Sequence, residues 1–209
     1  MSEHSTRSRT SEIMGERVEV LREEMRVRLE ADDVTVRLAT SADAAAWSRA
    51  ATSMFRDTFG PANKPEDLEA YLASAFSEEQ QRAEISEANS RIWLAYDREG
   101  IAGYAHVRLG APLPAGSTLA TNRSAEIARI YAERRWQGRG LGASLMRVCV
   151  ATVSEWGADV LWLGVWKRNP RAIAFYEKQG FVAVGEQAFL LGADLQHDFV
   201  MARRLTNEH

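Results

Sequence analysis

The sequence predicts an α/β domain with three layers: a mixed, mostly antiparallel central sheet and helices on both of its faces. Two observations carry this prediction. Residues 125–166 contain an apolar strand pattern, an amphipathic helix and a second apolar strand, and strands joined in this way run parallel with a right-handed crossover. Residues 91–109 and 181–205 each show two strand patterns around a turn, which predicts antiparallel hairpins.

The composition is ordinary for a globular protein and leaves room for a small cationic substrate, and a cytoplasmic location is expected. The chain has 209 residues, 45% hydrophobic and 26% charged, with a formal net charge of -3. Nucleic-acid binders usually carry a basic excess, so this charge argues against that class. No apolar run approaches the ~20 residues that span a bilayer, and the polar N-terminus lacks a secretory core. The single cysteine, Cys149, cannot form an internal disulfide and fits a reducing compartment.

Two regions are expected: an N-terminal tail with an amphipathic helical extension over residues 1–32, and the domain over residues 33–209. From residue 13 to about residue 29, apolar side chains recur at spacings of three and four, the period of a helix with one apolar face. That face would pack on the domain or on another subunit, which leaves a homodimer open. The alternative is that translation starts at Met14 or Met25 and that the extension matters little.

The first half of the domain is predicted from alternation, capping and turn residues. Apolar residues at every second position indicate a strand, and a Ser or Asp cap before an apolar period of three to four indicates a helix. Gly60-Pro61 ends the first helix, and Pro65 starts the second with acidic residues in its first turn. In order, the elements are a strand at 34–38, a helix from Ser41 or Asp43, a helix through Phe76, the hairpin of 91–109 and a loop at 110–123.

The second half contains the predicted parallel pair and the closing hairpin. Its second parallel strand is apolar nearly throughout, as expected for a strand covered on both faces. Asn169-Pro170 starts the last helix, and Gly180 stops it. In order, the elements are a strand at 125–131, a glycine-rich segment at 137–142, a helix through Trp156, a strand at 159–166, the helix after Asn169, and antiparallel strands at 181–191 and 199–205.

The glycine-rich segment has the chemistry of a phosphate cradle. Gly138, Gly140 and Gly142 let the backbone approach a ligand closely, and the N–H groups continue into the unpaired first turn of a helix, whose dipole favours an anion. The segment also fits the dinucleotide pattern G-x-G-x-x-A, but it lies past the middle of the chain and its approach at 133–137 is charged. A P-loop is excluded because no Gly-Lys-Ser/Thr follows. A purely structural turn stays open.

Two motifs resemble the GNAT superfamily of N-acetyltransferases. The pattern Q-x-x-G-x-G at 137–142, after a strand that ends Arg-Ile-Tyr at 129–131, resembles the acetyl-CoA loop of that superfamily. The pattern N-x-x-A-x-x-F-Y-x-x-x-G-F at 169–181 resembles its last helix, and the order of strands and helices also matches. The resemblance implies acetyl-CoA as the acyl donor, no metal, and a parallel strand pair that splays where the pantetheine arm enters.

Three further stretches resemble the bacterial spermidine/spermine N-acetyltransferases of the Pai type. They are residues 55–71 (F-R-D-T-F-G, then E-D-L-x-x-Y), residues 163–169 (L-G-V-W-x-x-N) and the closing hairpin at 189–201. The resemblance covers nearly all of residues 34–205 and implies a polyamine acceptor such as spermidine or spermine. Another amine (an amino acid, a peptide N-terminus or an amine antibiotic) and a non-catalytic CoA-binding module stay open as alternatives.

The resemblance also implies which residues hold acetyl-CoA. The backbone at 130–132 would donate a hydrogen bond to the thioester oxygen and pair with the pantetheine arm, and the N–H groups of 137–142 would hold the pyrophosphate. Arg134, Arg135 and Arg139 could add positive charge near the phosphates, and the alternative is that they are solvated. Asn169 would contact the pantetheine arm, cap its helix, or both. The candidate cofactor-binding residues are Ile130, Tyr131, Ala132, Gln137, Gly138, Arg139, Gly140, Leu141, Gly142, Ala143, Asn169 and Tyr176.

Direct transfer to an amine calls for a base and an acid. A primary amine has a pKa near 10.4, so only about one molecule in 2,500 is neutral at pH 7, and using the protonated pool costs about 4.6 kcal/mol. By resemblance, Glu126 is the candidate base, acting through water, and the alternative is a solvated strand-end residue. Tyr176 would return a proton to the leaving thiolate, and the alternative is a core tyrosine.

A polycationic acceptor would also need acidic partners. The candidates flank the acceptor side of the related fold, at the start of the second helix and in the closing hairpin. The first two can instead serve the helix dipole, and the third the hairpin turn. The candidate acceptor-binding residues are Glu66, Asp67, Asp194 and Asp198. His106 and His197 have no metal-ligand spacing around them, and Cys149 is expected in the core.

Overall fold

The computed structural model describes residues 26–29 and 32–205, and within them one sheet of eight strands forms the middle layer. The strands are β1 (Arg26–Leu29), β2 (Asp32–Leu38), β3 (Ser90–Asp97), β4 (Gly100–Leu109), β5 (Ser124–Ala132), β6 (Val160–Trp166), β7 (Val182–Leu191) and β8 (Asp194–Arg204). Their order across the sheet is β1-β2-β3-β4-β5-β6-β8-β7, and every neighbouring pair is antiparallel except β5 and β6. The predicted mixed, mostly antiparallel sheet is confirmed.

Helices in the described part of the chain cover both faces of this sheet. They are α1 (Ala44–Phe59), α2 (Pro65–Ala75), α3 (Glu78–Ser86), α4 (Leu141–Glu155) and α5 (Pro170–Lys178). The first three lie on one face, where Trp47 and Leu72 join a buried cluster with Tyr104 of β4. The last two lie on the other face, where Leu145 and Tyr176 join a second cluster. The predicted three layers are therefore confirmed.

One helix and one strand boundary differ from the prediction. α3 has no counterpart among the predicted elements, because its residues are mostly polar and only Gln81 and Glu84 are buried. Its start is nevertheless capped, since the Ser77 hydroxyl accepts a hydrogen bond from the Gln80 N–H at 3.2 Å. β8 begins at Asp194, ahead of the predicted strand at 199–205, because it pairs with β7 from the turn onward.

The predicted N-terminal helix is wrong for its last turn. Arg26–Leu29 is a β-strand that pairs antiparallel with β2, with Arg26 opposite Thr35. Charged and apolar residues alternate in these four positions, which fits a strand as well as a helix, and β2 supplies the partner for the ladder. The tail and the rest of the predicted helix, residues 1–25, lie outside the described residues.

The parallel strands β5 and β6 separate soon after they meet. Their register runs only from Ser124–Val160 to Glu126–Trp162. On its other side, β5 carries a bulge at Ala128, because Ile127 pairs with Val107 of β4 while the next paired residue is Arg129. A gap therefore opens between the C-terminal halves of β5 and β6. This is the splayed pair that the resemblance implies.

The described residues contain neither a helix that could cross a membrane nor a cluster of metal-binding side chains. No helix in the ranges 26–29 and 32–205 has the length and apolar character needed to cross a membrane. In the same ranges, no three His, Cys, Asp or Glu side chains come together as a metal site would require.

Candidate functional site

The glycine-rich loop ends as an open anion cradle at the start of α4. Gly138 and Gly140 have φ angles of 81° and 92°, in the left-handed region that favours glycine, and Gly140 is the N-cap of the helix. The first N–H after it that has a backbone acceptor is that of Ser144, which bonds the Gly140 carbonyl at 3.0 Å. Within the described residues, the N–H groups of 138 and 140–143 have no backbone acceptor. These N–H groups lie at the positive end of the α4 dipole, so the loop fits a pyrophosphate.

The segment that precedes this loop is bound to the turn between β3 and β4 by a hydrogen bond and ion pairs. The buried Trp136 donates its indole N–H to Asp97 at 2.6 Å. Arg135 forms ion pairs with Asp97 at 3.0 Å, Glu99 at 2.8 Å and Glu133 at 2.7 Å. Because three carboxylates hold Arg135, its guanidinium anchors the loop rather than adding charge for the phosphates, which corrects that expectation.

Two amide side chains lie at the mouth of the gap between β5 and β6. Gln137 donates to the Ala132 carbonyl at 3.1 Å and accepts from the Arg171 guanidinium at 2.6 Å, so it bridges the end of β5 and the start of α5. Asn169 caps α5, because its Oδ1 accepts from the Ala172 N–H at 3.1 Å. The predicted cap is confirmed, and its Nδ2 makes no hydrogen bond to the described residues.

The end of β5 presents backbone donors to the gap. The Glu133 N–H bonds the Ala102 carbonyl on the β4 side at 2.9 Å. Because successive N–H groups along a strand point to opposite edges, those of Ile130 and Ala132 point away from β4, toward β6. Tyr131 turns its N–H toward β4 and stacks its ring on Tyr104 with the ring centroids 5.4 Å apart. Two of the three predicted backbone residues therefore have donors that a ligand in the gap can reach.

Tyr176 lies in α5 beside this gap. Its ring packs against Phe175 at 5.3 Å and Phe181 at 6.0 Å, and the residue is 9% exposed. Burial, with a smaller contribution from Cys149, raises the pKa of the phenol, so it is protonated at neutral pH. The Tyr176 hydroxyl has no hydrogen-bond partner among the described residues.

Glu126 lies at the point where β5 and β6 begin to separate. It is opposite Trp162 of β6 and Arg108 of β4, and its carboxylate pairs with the Arg108 guanidinium at 3.0 Å. The side chain is 16% exposed, and desolvation raises the pKa of the carboxyl even though Arg108 opposes that shift. A solvated strand-end residue, the structural alternative for Glu126, does not fit this burial.

Three of the four predicted acidic residues gather at the tip of the β7–β8 hairpin, beside α2. Asp67 accepts a hydrogen bond from the Ala193 N–H at 2.7 Å and so holds the hairpin turn. Asp194 accepts from the Gln196 side chain at 2.9 Å. Glu66 is exposed in the first turn of α2. Asp67 is thus occupied by the fold, which supports its structural alternative, and neither Glu66 nor Asp194 is enclosed.

Asp198 is different because it is buried and forms no ion pair with a described residue. The residue is 8% exposed, and its Oδ1 has no partner in the described part of the chain. It lies over Gly164 of β6, where a Cβ would come within 3.4 Å of its Oδ2, and beside Gln187 of β7. Burial raises the pKa of this carboxyl to about 6, against a small opposite effect from His197.

An aromatic wall stands between the helices and the sheet on this same face. Phe59 of α1 meets Trp166 of β6 at 5.8 Å, and Tyr71 of α2 meets Phe189 of β7 at 5.3 Å. Phe55 joins the two pairs, with ring centroids 4.4 Å from Phe59 and 5.0 Å from Tyr71. The wall is defined by these five rings. Asp198 is the β8 residue opposite Trp166, so the carboxylate borders the wall.

The sequence does not predict the buried ion pair that lies beneath the wall. Arg129 of β5 makes two hydrogen bonds to Glu84 of α3, at 2.7 and 2.9 Å. The His106 Nδ1 lies 3.7 Å from Glu84, and its Nε2 lies 2.8 Å from the Ser90 hydroxyl. Burial holds the pKa of His106 well below its ordinary value, so the ring is neutral. The bulge at Ala128 places Arg129 on this face, a change of register that no local sequence signal reveals.

We predict that Glu84→Gln destabilises the fold by about 3 kcal/mol, because it leaves the buried Arg129 guanidinium without its counter-charge. The matched control is Glu78→Gln on the same helix, whose partner Arg82 is exposed, and it should cause little change. Urea unfolding of both variants measures the difference. Equal stability of the two variants would contradict a structural role for the buried pair.

Comparison with known proteins gives a family model and a set of relatives. The model of the acetyltransferase (GNAT) family matches residues 49–181. An uncharacterized N-acetyltransferase of Lactobacillus delbrueckii subsp. lactis is 35% identical over 151 residues, 72% of this chain and 86% of that protein. An uncharacterized N-acetyltransferase of Mycobacterium bovis is 32% identical over 145 residues, 69% of this chain and 86% of that protein.

Similar solved structures show the same fold. The PaiA N-acetyltransferase from Thermoplasma acidophilum, in complex with coenzyme A, has a TM-score of 0.65 at 18% identity and covers 82% of this chain and 98% of its own. The ribosomal-protein-S18-alanine N-acetyltransferase from Escherichia coli has a TM-score of 0.57 at 20% identity, with 84% and 96% covered. At these identities the likeness concerns the fold alone.

Proposed function

The chain belongs to the acetyltransferase (GNAT) family and is an N-acetyltransferase that uses acetyl-CoA, and we propose that it transfers the acetyl group directly to a primary amine of a polyamine such as spermidine or spermine. The observation that supports a polyamine acceptor is the burial of the Asp198 carboxylate. A buried carboxylate without a counter-charge is costly, and a cationic ligand removes that cost. The aromatic wall beside it supports the same ligand, because half-buried rings attract ammonium groups.

The donor side of the site fits acetyl-CoA at three places. The unpaired N–H groups of 138 and 140–143 would hold the pyrophosphate at the positive end of α4. The N–H groups of Ile130 and Ala132 would pair with the pantetheine arm and donate to the thioester oxygen. The free Nδ2 of Asn169 would donate to a carbonyl of that arm. Acetyl-CoA supplies the activated acetyl group, and these residues fix where its carbonyl lies.

Two side chains would move protons in the transfer. Tyr176 is proposed as the acid, because its phenol is protonated at neutral pH and its hydroxyl has no competing partner in the described residues. Glu126 is proposed to receive the amine's proton only through water, because it lies where the strands separate but is already paired with Arg108 and so is not placed to take that proton directly. The transfer is proposed to be direct, without an acyl-enzyme.

A second acceptor class is an amine antibiotic. The streptothricin acetyltransferase of Streptomyces lavendulae is 34% identical to this chain over 110 residues. Those residues are 52% of this chain and 53% of that protein, so the match spans about half of each. A non-catalytic CoA-binding module, the remaining alternative, is not favoured by the family membership or by the N-acetyltransferase relatives.

The test is a free-thiol release assay with acetyl-CoA against a panel of amines. The panel contains spermidine, spermine, putrescine, lysine, a short peptide, an aminoglycoside and a streptothricin. We expect saturable turnover with spermidine or spermine and little with lysine or the peptide. Turnover with the streptothricin alone would replace the acceptor by the antibiotic, and silence across the panel would refute the proposed acceptors together.

A further inference from the structure

Two carboxylates face the same side of the sheet near the gap, one from β5 and the other from β8, which is the strand beyond β6. Glu126 of β5 is opposite Trp162 of β6, and Asp198 of β8 is opposite Trp166 of the same strand. Residues opposite each other share a face, and so do residues four apart on one strand. Glu126 and Asp198 therefore point to the same side, which is also the side of the aromatic wall.

The two carboxylates lie at different positions along the strand direction. Trp162 and Trp166 are four residues apart, which is about 13 Å in a strand, so Asp198 lies that much nearer the open end of the gap than Glu126. Ile130, whose N–H points into the gap, lies four residues beyond Glu126 on β5, one of them in the bulge. Asp198 therefore lies at about the same position along the strand direction as the Ile130 N–H, which would bind near the reacting carbonyl. Glu126 lies nearer the start of the gap.

The two carboxylates also differ in what they already bind. Glu126 is held by the Arg108 guanidinium at 3.0 Å. Asp198 has no ion pair among the described residues, and its Oδ1 is fully buried without a partner. A carboxylate that is to take a proton from an ammonium group needs a free oxygen at the reacting level. Asp198 has one, whereas Glu126 has neither the position nor the free charge.

We propose that Asp198 accepts the proton of the acceptor's ammonium group and so generates the attacking amine. This inference rests on the proposed function. An N–H bond of the ammonium breaks as an O–H bond forms on Asp198, and the freed lone pair of the nitrogen attacks the acetyl carbon. The C–S bond then breaks, and its electron pair leaves with the CoA sulfur, which takes the proton that Tyr176 gives. Tyr176 recovers a proton from the new amide nitrogen, and Asp198 releases its own to solvent.

The surroundings of Asp198 suit this task. The titratable groups near it are Tyr71 of α2 and His197 of β8, and the Arg168 guanidinium lies 5.2 Å from the ring centroid of Trp166, the residue opposite Asp198. Gly164 of β6 and Gln187 of β7 carry no charge. Burial raises its pKa to about 6, so at pH 7 it is mostly ionised and able to accept a proton. Below that pKa the carboxyl is already protonated, and kcat/KM for the amine should fall with decreasing pH.

The test is the pH profile of Asp198→Asn with spermidine and acetyl-CoA. Asn keeps the shape of the side chain and removes an unpaired buried charge, so the variant should fold and bind acetyl-CoA as the wild type does. We expect kcat to fall about 100-fold and the acidic limb near pH 6 to disappear. The matched control is Glu186→Gln, which removes a carboxylate from β7 on the opposite face, where it pairs with Lys167, and should leave kcat unchanged.

Glu126→Gln, measured alongside, separates the two carboxylates. If Asp198 is the proton acceptor, Glu126→Gln keeps the acidic limb and Asp198→Asn loses it. An Asp198→Asn enzyme with wild-type kcat and an unchanged acidic limb would overturn this inference while the proposed function stands. A wild-type enzyme that acetylates no amine of the panel would instead refute the proposed function, and this inference with it.

Discussion

Gly140→Asp is expected to weaken acetyl-CoA binding by about 100-fold or more, equivalent to about 2.7 kcal/mol, while the protein stays folded. Gly140 is the N-cap of α4 and has a φ of 92°. Asp is one of the few other residues that tolerate left-handed backbone, and it is a good N-cap, so the helix should not suffer. Its carboxylate, however, would satisfy the N–H groups of 141–143 and repel a phosphate at the same place.

Calorimetry with acetyl-CoA measures this loss, and Gly140→Asn is the matched control. Asn has nearly the same shape and the same tolerance of left-handed backbone, but it carries no charge. We expect Asn to cost much less affinity than Asp. If both variants lost binding equally, the cause would be steric, and if Gly140→Asp bound normally, the loop would not be the pyrophosphate site.

The glycine loop and the strands around it could be predicted because their signals are local. The residue types that make Gly138 and Gly140 suitable for left-handed backbone are visible in the chain, and so are the periods of β5, α4 and β6. The parallel pairing then follows from the helix that joins the two strands. For this part of the fold, each element depends on residues within its own segment.

The acidic residues show what local signals cannot give. Asp67, Asp194 and Asp198 are the same residue type, yet Asp67 holds a turn, Asp194 is exposed, and Asp198 is buried with an oxygen that has no partner among the described residues. These differences depend on which residues β8 meets on β6 and β7, and that register involves strands far apart in the chain. Burial, rather than residue type, distinguishes Asp198 from the other two.

The ion pair between Glu84 and Arg129 could not be predicted from the sequence for the same reason. Glu84 lies in α3, a short polar helix that its own sequence does not predict, and it meets Arg129 because β5 bulges at Ala128. In an unbulged strand, Arg129 would point to the opposite face from Glu126. One extra residue in the ladder therefore decides that both side chains face the acceptor side.

Tyr176→Phe is expected to lower kcat about 100-fold with little change in KM for acetyl-CoA. Phe keeps the ring contacts with Phe175 and Phe181, so only the hydroxyl is lost. Because that hydroxyl has no hydrogen-bond partner among the described residues, its removal should not lower the free energy of unfolding. The leaving thiolate would then have no proton donor beside it, and the breaking of the C–S bond would become slower.

Steady-state kinetics with Tyr96→Phe as a control distinguish this role from a general effect of removing a phenol. The Tyr96 hydroxyl donates to Asp43 at 2.9 Å, far from the gap in the sheet. Its loss should cost about 1 kcal/mol of stability and leave kcat unchanged, the opposite pattern to Tyr176→Phe. If Tyr176→Phe kept the wild-type kcat, the core-tyrosine alternative would stand, and the proton for the thiolate would have to come from solvent that reaches the gap between β5 and β6.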